Sequence, residues 1–200
     1  MSLFPQDRTK IRARIRSYER KLQQEQDQYG LISDGYGKRY LLGPLYLLMD
    51  DLEGALAHYE WFEETFPDDS GYPMHLLCWT LALYRSGDRE AATHKLRQTM
   101  LSNLYLIPHV LELEQADLDI WHGSNIAERS HINDIPEEVF DLWDEEALEW
   151  LDDTYRSPTL TSIRERYIAI EHQLKTEPRG SHRTQLVEEA FALQYGKQSP

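Results

Sequence analysis

The stretch LLGPLYLLMDDLEGALAHYEWFEETFP, residues 41–67, constrains the fold more than any other part of the chain. Two helix-length apolar runs flank Met49-Asp50-Asp51, a small residue sits on each run at Gly43 and Ala55, and Pro67 ends the second. Helices that cross at small residues approach closely, because a larger side chain at the crossing would push the neighbour away. The stretch therefore predicts a helical hairpin with arms 38–49 and 52–66.

Helical spacing recurs along the rest of the chain. In residues 7–28, Ile11, Ile15, Tyr18 and Leu22 follow at intervals of four, three and four, one apolar stripe on an otherwise charged helix that must lie against something. YGLISDGYG, 29–37, reads as a loop from its three Gly and its Ser-Asp pair. Residues 73–86 and 88–101 predict a second hairpin turned at Ser86-Gly87-Asp88, and 104–118 a further helix that Pro108 starts or kinks. DIWHGSN (119–125) and IAERSHIND (126–134) form the longest irregular connection. Pro136 opens a short helix, Asp144 can cap the next, and Ser157-Pro158 starts one running to about residue 175. After the loop TEPRGSHR, 176–183, residues 184–194 make a last short helix. Strand-like alternation is absent, so the expected class is all-α, organised as one domain over residues 1–200.

The opening stretch resembles the tetratricopeptide repeat, a 34-residue helical hairpin with small or aromatic residues at fixed places. Leu42, Gly43 and Tyr46 match its first helix, Ala55 and Tyr59 its second, and Pro67 its closing proline. A second unit has Trp79, Leu83, Gly87, Ala92 and Leu96 in place, but Leu104 replaces the closing proline and Phe62 and Thr99 replace the usual Ala. The linker PDDSGYP lengthens the interval between Ala55 and Ala92 beyond the standard period. The likeness covers residues 36–104. Arrays of this kind need about three units to bury their faces. With two here, helix 7–28 and the helices of 105–196 are expected to supply the missing neighbours.

The resemblance implies partner binding along a groove lined by first helices. Its positions carry over to Tyr40, Pro44, Leu47 and Leu48, and to Met74, Leu77, Leu81, Tyr84 and Arg85. The Lys and Asn that clamp a carboxylate in some members are Tyr40 and Pro44 here, which speaks against a chaperone-tail adaptor. An apolar groove must be covered, either by the chain's own helices or by a helix or extended segment of a protein or peptide partner. The expected function is that of a protein-binding scaffold or adaptor.

Charge narrows the partner classes. Thirty-five acidic against 21 basic residues give a net charge of −14, which repels nucleic acid and anionic membrane over most of the surface. The exception is residues 1–25, where Arg8, Lys10, Arg12, Arg14, Arg16, Arg20 and Lys21 face only Asp7, Glu19 and Glu25. Nucleic-acid binding there requires Arg12, Arg16 and Arg20 to project freely. NDIPEEVFDLWDEEALEWLDD, 133–153, is the opposite pole, with ten carboxylates and no base. No apolar run is long enough for a membrane span, the first residues lack a signal-peptide core, and the single Cys78 suits a reducing compartment, so a cytoplasmic location is expected. The initial Met-Ser-Leu receives no role.

HExxH, GxSxG, P-loop and GxGxxG motifs are absent, and no metal or cofactor is expected. His75 and Cys78 lie one helical turn apart inside MHLLCWTLAL, a setting for a buried structural thiol. Two segments offer a ligand or anion site, or an enzyme pocket, if they converge: Trp121 and His122 with Ser124 and Asn125, and Lys175, Arg179, His182 and Arg183. The competing expectation has Trp121 in the core, Ser124 or Asn125 as a helix cap, and the basic segment tethered to the acidic 133–153.

Overall fold

The helical spacing is realised in a computed structural model that describes residues 4–196; the initial Met-Ser-Leu and residues 197–200 lie outside it. The helices are α1 (Arg8–Tyr29), α2 (Lys38–Leu48), α3 (Leu52–Thr65), α4 (Pro73–Ser86), α5 (Arg89–Ser102), α6 (Leu106–Val110), α7 (Glu137–Phe140), α8 (Glu145–Tyr155), α9 (Pro158–Thr176) and α10 (Ser181–Tyr195). Short 3-10 turns cover Asn125–Ala127 and Arg129–Asp134. No strand occurs among the described residues, and the protein is all-α.

The chain forms two compact units. The first holds residues up to Ala92 together with Ile135–Asp144; the second holds Thr93–Asp134 and the residues from Glu145 onward.

In the first unit α1 packs on α2, α2 on α3, and α4 against both α2 and α3. Of the α1 stripe, Ile11, Ile15 and Leu22 are each no more than 6% exposed and Tyr18 is half-buried. Gly43 is where α2 and α3 meet: a Cβ there would stand 2.3 Å from the Tyr59 hydroxyl, so the ring of α3 occupies the room a side chain would need. Ala55 and Ala92 are fully buried. Tyr59 stacks on Trp79 with centroids 4.9 Å apart, and His75 meets Tyr40, Tyr59, Phe62 and Trp79 edge-on or tilted, which makes the centre of the unit an aromatic cluster. Cys78 is fully buried, and burial pushes its thiol far above the ordinary range, as a structural cysteine requires.

The 29–37 loop is held by a carboxylate rather than left open. Asp34, 3% exposed and at φ 41°, accepts from the backbone N–H of Lys38 (2.9 Å) and Arg39 (2.8 Å) and from the Lys38 ammonium (3.0 Å), so it satisfies the first turn of α2. Glu25 of α1 in turn accepts the N–H groups of Ser33 and Asp34.

In the second unit α8 packs on α9 and α9 on α10. Ser157 caps α9 as expected, accepting from the N–H of Leu160. The helix expected over 104–118 is corrected: α6 stops at Val110, Glu112 takes the left-handed conformation at φ 53°, and Leu113 donates back to Pro108 at 2.8 Å. Glu112, Glu114, Asp117 and Asp119 would crowd a helix C-terminus, where partial negative charge already accumulates.

Candidate functional site

A cleft of about 420 Å³ opens in the first unit between α1 and α3, with α2 as its floor. Leu22, Leu42 and Ile32 give it apolar depth, Ala57 and Trp61 form the α3 wall, and Glu19, Gln23 and Gln26 the α1 wall. It exists because α1 and α3 each rest on α2 and not closely on one another, as their packing shows. Gly54 keeps the near end open: Tyr46 of α2 lies against it, and the Tyr46 hydroxyl donates to Glu19. Burial, then the Glu19 carboxylate, raises the Tyr46 phenol, so it stays a proton donor at neutral pH.

His58 sits in the same wall with its ring Nε2 2.8 Å from the carbonyl of Arg39. A carbonyl only accepts, so Nε2 carries the proton. Burial lowers the imidazole to about 4, and the ring is neutral at physiological pH. The cleft thus offers an apolar surface with hydrogen-bonding amides along one edge, a lining suited to binding.

The groove positions expected from the repeat resemblance lie elsewhere. Leu47, Met74, Leu77, Leu81 and Tyr84 are buried, and Pro44 with them, while Tyr40, Leu48 and Arg85 are half-buried. Tyr40 is also engaged: its hydroxyl donates to Asp69 (2.7 Å), and Arg39 stacks on its ring while pairing with the same carboxylate at 2.9 Å. Asp69 takes the N–H of Gly71 as well, so it ties the 67–72 linker to the start of α2. Arg85 donates to the carbonyl of Leu142 (2.6 Å) and lies 3.7 Å from Asp144, which joins Ile135–Asp144 to α4.

The two candidate ligand segments do converge in the second unit. Lys175 pairs with Asp119, Trp121 donates its backbone N–H to the carbonyl of Glu171 at 3.2 Å, and the Arg183 guanidinium lies 5.0 Å from the Trp121 ring centroid. Their cations are consumed internally, however. Arg183 donates to the carbonyls of Leu174 (2.6 Å) and Glu177 (2.9 Å), closing the C-terminus of α9, and His182 stands 3.9 Å from Glu177. Arg179 is exposed. The expected tether to 133–153 is therefore corrected: Lys175 pairs with Asp119, His182 stands near Glu177, and Arg183 takes backbone carbonyls at the end of α9. Trp121 is 36% exposed instead of core, with the Arg183 guanidinium near its ring. Ser124 does cap the following turn, accepting from Ile126. His122 stacks near Tyr105, and its buried Nε2 has no hydrogen-bond partner.

On α9, Glu171 is 5% exposed, and burial raises its carboxyl to about 7 against the opposing pull of Tyr167 and Arg183. Asn103, 1% exposed, supports the neighbouring connection by donating to the carbonyls of Ile126 and Glu128 and accepting from Tyr105. Sequence reasoning missed Asp34, Asp69, Asn103 and Glu171. Only Asp34, in the Ser-Asp pair just before a helix, and Asn103, two residues before an N–H it accepts, carried a local signal.

Arg12, Arg16 and Arg20 are exposed along α1 and form no ion pair among the described residues. Among those residues no group of His, Cys, Asp and Glu is arranged to hold a metal, and no helix is long and apolar enough to cross a membrane. Compared with family models, curated proteins and solved structures, the chain finds no match.

Proposed function

We propose that the chain acts by non-covalent association, as a protein-binding scaffold or adaptor built on tetratricopeptide-like hairpins. The packing order of α1, α2, α3 and α4 supports this, since stacked hairpins bury their apolar faces only against successive neighbours. The observation that carries the reading is the open, apolar-floored cleft between α1 and α3. It also moves the docking surface away from Leu47, Met74, Leu77 and Leu81, whose burial makes them core. A photo-crosslinking residue at exposed Ala57 should give a discrete adduct in lysate that a probe at exposed Glu188 does not. Identical adduct patterns from both positions would remove the reading.

The convergence of Trp121 with Arg183 and the exposure of Arg179 favour a second reading, a small-anion site in the second unit. Calorimetric titration with inorganic phosphate tests it. Heat lost in Arg179→Ala would support such a site, and no heat in the native chain would end it.

A further inference from the structure

Charge along one lip of the cleft says what it fits. On α3, Glu53, Ala57, Glu60 and Glu64 recur at intervals of four, three and four and so share a stripe. Ala57 lines the cleft; the three carboxylates beside it are exposed and make no ion pair among the described residues. The facing wall on α1 is uncharged at Gln23 and Gln26, and its one carboxylate, Glu19, is taken by Tyr46. Arg12 and Arg16 continue that wall only beyond its Glu19 end. No Lys or Arg lines the cleft.

We propose that the cleft receives the apolar edge of an amphipathic helix from another protein, with Lys or Arg along the flank that faces α3. The proposal rests on the docking reading above and adds the partner's chemistry. The wall from Gly54 to Thr65 runs for about 16 Å, three helical turns, which matches the short apolar edge such a helix lays into a groove. Basic side chains on its α3 flank meet Glu53, Glu60 and Glu64, while its other flank hydrogen-bonds Gln23 and Gln26. A second copy of this chain does not supply this helix. Its basic amphipathic helix, α1, already buries Ile11, Ile15 and Leu22 against its own fold.

The test is fluorescence anisotropy with two labelled helical peptides of about 18 residues. Both share a Leu and Ala edge; one has Lys on a single flank, its twin Glu at the same places. The Lys peptide is expected to saturate and to bind roughly tenfold tighter than its twin at 0.1 M salt, with the preference reversed in a Glu60→Lys, Glu64→Lys variant. Ala57→Gln, neutral and on an exposed helix position, should weaken the Lys peptide by about tenfold, with the fold of each variant checked by circular dichroism. Equal affinities for the twins, still weakened by Ala57→Gln, would overturn the charge assignment and leave docking intact. Binding indifferent to Ala57→Gln, or absent for both peptides, would overturn docking as well. Self-association abolished by Ala57→Gln would give the cleft to a second copy and overturn the proposal.

Discussion

Asp34 holds two backbone N–H groups and the Lys38 ammonium, and its removal leaves that ammonium, in a residue 8% exposed, with Glu25 at 3.6 Å as its carboxylate partner. Stripping one partner from a buried pair is costly, so Asp34→Ala should lose about 3–5 kcal/mol in urea denaturation. A loss under 1 kcal/mol would show that water replaces the carboxylate. Glu171 and His58 give opposite pH dependences in separate units. The folded carboxyl of Glu171 titrates near 7 against an ordinary value near 4.5, so the native state binds the extra proton between those values. Stability contributed by that group is lost as pH rises through the window, on the order of 3 kcal/mol in all, and Glu171→Gln should flatten the slope. His58 runs the other way, because its folded value is depressed to about 4 from 6.5 and the unfolded chain takes the proton first as pH falls. Denaturation midpoints from pH 4 to 8 for Glu171→Gln and His58→Gln separate the two. The Glu171 role was not legible in the sequence, since it looks like any other acid among 35, whereas Asp34 carried only the local signal of a Ser-Asp pair ahead of a helix.

At the scale of elements, apolar spacing sets where helices form and local chemistry sets where they stop. The intervals through Ile11, Ile15 and Leu22 place α1 correctly, and Ser157-Pro158 places the start of α9. Residues 104–118 misled because Leu104, Ile107, Leu111 and Leu118 keep a helical rhythm, while the carboxylates that oppose continuation weigh only at a helix C-terminus. Glu112 carries the consequence, a non-glycine residue at φ 53°. Glu112→Gly should raise stability by about 0.5–1 kcal/mol, since only glycine adopts that conformation without cost. A decrease by thermal melting would show that the Glu112 side chain is itself needed. Gly43→Val drives methyl groups into the Tyr59 ring and should cost about 1–3 kcal/mol by chemical denaturation. An unchanged midpoint there would mean that Tyr59 has another place to go.

For the molecule as a whole, a net charge of −14 makes self-repulsion a term in stability. Raising ionic strength from about 0.01 to 0.5 M, which shortens the screening length several-fold, should raise the melting temperature. A fall would show that pairs such as Arg166–Glu189 and Lys175–Asp119 outweigh the repulsion. The sequence by itself determined the all-α class, most helix boundaries, the buried face of α1, and the close approach at Gly43, because these follow from spacing within a few turns of one helix. The tertiary structure alone decided the division into two units, the cleft between α1 and α3, and the bonds of Tyr40 to Asp69, Asn103 to Ile126 and Trp121 to Glu171. Each of these joins residues remote in the chain, and side-chain spacing along a helix says which face is apolar without saying what will meet it.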